Sequence, residues 1–130
     1  MNPQPPKHHF KILVVEDNLL DFELIETALV TQFDCDVHLV MTQGQFEGEL
    51  ADLKPDLIIS DSNMPGFDGF AALQLAGERC PDVPFVFCSG NPNRERADLS
   101  DNVGWVAKEK GFAALVNFVK KTLESKKGDM

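Results

Sequence analysis

Basic residues are scarce in this chain. Over 130 residues, 12 lysines and arginines stand against 21 aspartates and glutamates, for a net charge of −9. That balance argues against nucleic acid as a direct partner, because phosphate backbones select basic patches. The only cluster of positive charge, Lys120, Lys121, Lys126 and Lys127, lies near the C-terminus and suits the end of a helix better than a ligand. Cysteine is also sparse. Cys35, Cys80 and Cys88 fit neither a paired framework nor a zinc spacing, and Cys88, inside "PFVFCSG", reads as a small buried apolar residue. No apolar run approaches the roughly 18 residues of a membrane span. The opening "MNPQPPKHH" lacks the apolar core of an export signal, so residues 1–9 are expected to be a disordered leader and the compartment to be the reducing cytoplasm. His8, His9 and His38 have no metal-ligand spacing and are expected at the surface.

What the chain does contain is an alternation of two patterns. Apolar residues make up 43% and charged residues 25%, as in ordinary single-domain proteins. Compact apolar runs occur at 10–15 ("FKILVV"), 36–41 ("DVHLVM"), 56–60 ("DLIIS"), 84–89 ("PFVFCS") and 104–108 ("GWVAK"). Runs that are apolar on both faces suit a parallel sheet covered on both sides. Between them, helical periodicity marks about 19–32 (Leu20, Leu24, Ile25, Ala28, Leu29), 44–53 (Phe46, Leu50, Leu53), 68–78 (Phe70, Leu73, Ala76, Gly77) and 111–125 (Phe112, Leu115, Val116, Val119, Leu123). The polar stretch 91–103, "NPNRERADLSDNV", offers few apolar anchors, so a fourth helix there is expected to be short or irregular. The prediction is an α/β doubly wound sheet with helices on both faces.

In open α/β sheets, ligands bind beyond the carboxyl ends of the strands. Here those ends carry Glu16-Asp17, Asp61, Ser89 and Lys108. Three carboxylates about 4 Å apart repel by on the order of 4 kcal/mol per pair at an effective dielectric near 20. A hard divalent cation such as Mg²⁺, which takes oxygen ligands, resolves the conflict, and Lys108 adds a further positive charge. An aspartate at a strand tip is held rigidly and open to solvent, as a carboxylate nucleophile must be. Attack on a phosphoryl donor would give an aspartyl phosphate, with metal and lysine neutralising the transferring group. The turn "NMPG" that follows Asp61 lets the chain leave the rim and could turn the Asn63 backbone carbonyl toward the metal. Each feature has a plainer reading alone. Glu16-Asp17 could serve a helix dipole, Asp61 could cap a turn, and Trp105 could be an ordinary buried aromatic. Asp68, just ahead of a helix, reads as its cap.

Taken in order, "ILVVEDN", "LIISDSNMPGFDG", "PFVFCSG" and "VAK" resemble the response-regulator receiver domain of two-component signalling over residues 10–124. The order around Asp61, with Asn63, Met64, Pro65, Asp68 and Gly69, resembles single-domain chemotaxis receivers, while "PFVFCSG" and "KEKGF" look more like receivers found beside sensory modules. The resemblance implies a flavodoxin-like five-stranded parallel sheet in a receiver domain at 10–125, followed by a short tail at 126–130. It implies Asp61 as phosphoacceptor, with Asp17, Asp61 and the Asn63 carbonyl as Mg²⁺ ligands and Glu16 acting through metal-bound water. It further implies that Ser89 turns its hydroxyl to the phosphoryl group, that Lys108 pairs with a phosphoryl oxygen, and that Trp105 stands where an aromatic swings inward on activation.

Departures from the family pattern are Glu109 in place of the proline that commonly follows the lysine, the shortened interval between Ser89 and Lys108, and the large indole at Trp105. The implied function is a phosphoacceptor switch, not a turnover enzyme. A histidine kinase or phosphotransfer protein would load it, and its output would be a protein contact made as a monomer or a phosphorylation-dependent dimer. The rival classes are a phosphorylation-independent docking domain and a Mg²⁺-dependent aspartate-nucleophile phosphatase. Against the latter, the residue two past Asp61 is Asn63, where such hydrolases place a second acid.

Overall fold

The computed structural model of the chain describes residues 9–61, 67, 69–89, 103–108 and 112–128. Five strands form one parallel sheet: β1 (Phe10–Val15), β2 (Cys35–Val40), β3 (Leu57–Ser60), β4 (Phe85–Ser89) and β5 (Val103–Ala107). Four helices are described: α1 (Leu19–Gln32), α2 (Gln43–Leu53), α3 (Gly69–Arg79) and α4 (Ala113–Gly128). The strand order is β2-β1-β3-β4-β5. After β2 the chain crosses to the far side of β1, so a topological switch point opens between β1 and β3.

The apolar strands are buried on both faces because two layers of helix cover them. On one face Ile12, Val14, Leu57, Ile59, Val86 and Cys88 meet Ile25 and Leu29 of α1 and Leu115, Val119 and Leu123 of α4. On the other, Leu13, Val15, Ile58, Phe85 and Phe87 meet Phe46 and Leu50 of α2 and Ala72 and Ala76 of α3. Alternate residues of one strand therefore serve opposite cores, as the period of two requires. Gly104 of β5 is needed where it stands, since a Cβ there would run into the ring of Phe118 on α4. Burial pushes the Cys88 thiol up to about 12. Burial, then the charges of Asp36 and Asp34, pushes Cys35 to about 11, so both act as apolar filler.

Helix starts follow their caps. The Asn18 side chain accepts from the Asp21 N–H at 3.1 Å and opens α1. The Thr42 hydroxyl accepts from the Gln45 N–H at 3.2 Å and opens α2, while Gln45 Oε1 accepts from the Met41 N–H at 2.8 Å.

Three expectations are corrected. Leu20 and Leu24 do not share the buried face of α1; they are 63% and 49% exposed. At about 100° per residue, Leu24 sits a quarter-turn from Ile25 and Leu20 further round still, whereas Leu29 lies within about 40° of it. The packed stripe is Phe22, Ile25, Ala28 and Leu29. The last helix, expected to stop near 125, runs on to Gly128, so most of the expected tail continues α4. His9, placed in the leader, is a described residue paired with Asp34 and Asp36. The shortened fourth-helix region 91–102, the Asp68 cap and the rest of the leader lie outside the described residues.

Candidate functional site

The strand register assembles the acidic rim. Val15 of β1 pairs with Ser60 of β3, so Glu16 and Asp61 leave adjacent strands side by side. Backbone hydrogen bonds fix both: the Asp61 N–H donates to Val15 O at 2.9 Å, and the Glu16 N–H donates to Val40 O at 3.1 Å. Glu16, Asp17 and Asp61 each offer a carboxylate oxygen within 4.8 Å of the others. Their environments differ, with Glu16 1% exposed, Asp61 half-buried and Asp17 open to solvent. Three hard oxygen donors, one of them reachable from water, form a donor set suited to Mg²⁺ or a similar cation.

Lys108, the residue after β5, reaches into this group from the far side of the sheet. Its Nζ donates to Glu16 Oε1 at 2.9 Å, to Asp21 Oδ2 at 2.8 Å and to Asp61 Oδ2 at 3.4 Å. Burial alone would lower the ammonium's pKa, but the hydrogen bonds to Asp21 and Glu16, with the charges of Glu16 and Asp61, outweigh it and hold it above the ordinary lysine value. The amine is therefore a fixed positive charge. The Glu16 pKa also rises, but for a carboxyl that favours the neutral form. Burial raises its carboxyl to about 7, against the opposing pull of Lys108, and the charge of Asp61 adds to the rise. One lysine does not offset the cost of burying Glu16 beside Asp61, and a divalent cation could add the missing positive charge.

Asp21 is the residue that sequence reasoning missed. It is acidic in the first turn of α1, where a carboxylate also complements the helix dipole. Nothing in the sequence sets it apart from any other carboxylate at the start of a helix. Ser89 ends β4 opposite Ala107, one position before Lys108 in register, so its backbone stands on the same rim. Asn63 lies outside the described residues. Trp105 packs inward, its ring 5.0 Å from that of Phe87 and 6.2 Å from that of Phe70, and its indole N–H is buried without a hydrogen-bond partner among the described residues.

Comparison with known proteins agrees with this geometry. A model of the response regulator receiver domain family matches residues 12–120. Sensory transduction protein BceR of Halalkalibacterium halodurans is 33% identical over 95 residues, covering 73% of this chain and 40% of that protein. Response regulator GacA of Pseudomonas syringae is 27% identical over 119 residues, covering 85% of this chain and 53% of that protein. The chain thus spans roughly half or less of these curated relatives. Among solved structures, the signal receiver domain of an HD domain-containing protein from Pseudomonas fluorescens superposes with a TM-score of 0.80 at 19% identity, covering 99% of this chain and 97% of that one. The receiver domain of Thermotoga maritima CheB gives 0.66 at 21% identity, covering 92% and 93%. With the strand order, the acidic rim and a family match over most of its length, this chain belongs to the response regulator receiver domains of two-component signalling.

Proposed function

We propose that this domain is a phosphorylation-dependent signalling switch in which Asp61 accepts a phosphoryl group from a phosphohistidine on a histidine kinase or phosphotransfer protein. The observation that carries the reading is the meeting of Glu16, Asp17 and Asp61 from two strand ends with the Lys108 ammonium. In the transfer, a carboxylate oxygen of Asp61 forms the new O–P bond as the donor's P–N bond breaks, and the electron pair leaves with the imidazole nitrogen. Asp17, Asp61, the Asn63 carbonyl and, through water, Glu16 would hold Mg²⁺, which when bound supplies charge neutralisation for the phosphoryl oxygens. Lys108 pairs with one phosphoryl oxygen, and the Ser89 hydroxyl turns to hydrogen-bond another. Movement of Ser89 and of Trp105 on β5 then alters the neighbouring surface and its affinity for a protein partner. The domain is a switch and not a turnover enzyme, and it acts in the cytoplasm. No helix among the described residues is long and apolar enough to cross a membrane.

The test is labelling by acetyl phosphate with Mg²⁺. The wild-type chain takes up one phosphoryl group, and Asp61→Asn takes up none. Undiminished labelling of the variant would remove Asp61 from the role. Quenching of Trp105 fluorescence on adding Mg²⁺ and beryllofluoride gives an independent readout, and a flat response would favour a phosphorylation-independent docking domain.

A further inference from the structure

We infer that Asp21 is a positioning residue that tethers the Lys108 ammonium at the pocket while the other carboxylates are engaged by cation and phosphoryl group. The inference rests on the phosphoacceptor reading for its functional meaning, and on geometry for its substance. The Lys108 ammonium has three protons to donate and meets three carboxylates, the shortest contact being to Asp21 at 2.8 Å. The three acceptors are not equivalent. Glu16 and Asp61 belong to the group whose oxygens converge within 4.8 Å, and Asp21 stands outside it.

A cation drawn to that group competes for the charge of Glu16 and Asp61 and weakens their hold on Lys108. It takes nothing from Asp21. The lysine stem would otherwise be free to swing away from a pocket whose other walls are neutralised, and holding it there is a question of orientation that rate depends on. Asp21 can do this because it is itself fixed. Its N–H is bonded to the Asn18 cap in the first turn of α1, and Ile25 and Leu29 anchor that helix to the core. With Asp21 retaining one proton of the ammonium, the two released by Glu16 and Asp61 are available to phosphoryl oxygens. A charge-assisted contact of this length is about twice as strong as a neutral one, enough to hold the amine without blocking it.

The direct readout is the ¹H–¹⁵N signal of the Lys108 ammonium, assigned by its loss in Lys108→Arg. In the Mg²⁺-loaded wild type the signal is expected to stay protected from solvent exchange. In Asp21→Ala with Mg²⁺ it is expected to vanish, while Asp21→Glu restores it and Asp21→Asn, which keeps an acceptor oxygen, restores it in part. Labelling by acetyl phosphate should slow about tenfold in Asp21→Ala, with the Mg²⁺ dissociation constant changed less than twofold. In a Lys108→Ala background the same substitution should change nothing, since the tether then has no load. Retained ammonium protection in Asp21→Ala would overturn the inference. So would faster labelling, which would show that Asp21 withholds the amine, or an equal effect with and without Lys108. Because the ammonium signal needs no phosphoryl transfer, failure of the wild type to label would sink the phosphoacceptor reading and leave the tether standing.

Discussion

Two places on this molecule set one cation among carboxylates, at opposite ends of the sheet. Before β1, the His9 ring lies 2.7 Å from Asp34 and 3.0 Å from Asp36, all three well exposed. Beyond β5, Lys108 lies among Glu16, Asp21 and Asp61 with 16% of its side chain exposed. The charge pattern is nearly the same, and burial separates the outcomes. At the exposed end, hydrogen bonds donated by the His9 ring to Asp36 and Asp34 raise its pKa, yet solvent and salt screen these contacts and they contribute little. At the buried end, the cost of removing Glu16 from water exceeds what Lys108 returns, and the carboxyl rises to about 7. A cluster left uncompensated by the chain's own charges is the one able to bind an external cation.

The sharpest way to break this comparison is to remove Lys108. Lys108→Ala leaves Glu16 buried without its cation, and above pH 7 the metal-free protein should lose roughly 3 kcal/mol, read by urea unfolding. The loss should shrink below pH 6, where Glu16 takes up a proton, and saturating Mg²⁺ should recover part of it. A variant as stable as the wild type at pH 8 would mean that the cluster is as well screened as the one at His9.

A smaller effect is the pH dependence of the intact protein. The folded Glu16 carboxyl titrates near 7 and the unfolded one near 4.5, so the folded state binds more protons between those values. Metal-free stability from this group is therefore full below about pH 4.5 and falls as pH rises toward 7, by at most about 1.4 kcal/mol per pH unit. Glu16→Gln should remove this component of the slope, and Mg²⁺ should flatten it in the wild type. Thermal midpoints at matched ionic strength from pH 4.5 to 8 would check both.

The smallest effect belongs to His9. Its raised pKa means that its contribution is present below about pH 6.5 and lost as pH climbs through the folded value. His9→Gln should lower the midpoint slightly at pH 6 and low salt, and leave it unchanged at pH 8. A shift that survives high salt would show that this pair is better shielded than its exposure indicates.

The fold was legible because strand and helix periods survive on the page. "LIIS" at 57–60 is buried on both faces and "FKILVV" at 10–15 on all but its lysine, and both read as the middle of a covered parallel sheet. α1 was legible in its bounds and misread in its face. Leucines at 20 and 24 satisfy a spacing of four residues, and only contact with the sheet reveals that Phe22, Ile25 and Leu29 form the stripe that packs. In the site, Glu16, Asp17, Asp61 and Lys108 could be found because each stands just past a strand, where the register must bring them to one rim. Asp21 could not, because a carboxylate in a first helical turn looks the same whether or not a lysine arrives 87 residues later.

By itself, the sequence determined the alternation of strands and helices, the two-sided burial of the sheet and the identity of the residues at its carboxyl edge, since these depend on local period and on chain order. Tertiary structure alone decided which strand lies beside which, which leucines remain in water and which carboxylate holds the lysine. Those outcomes depend on distances between residues far apart in the chain, and distances of that kind exist only once the sheet has closed in the order β2-β1-β3-β4-β5.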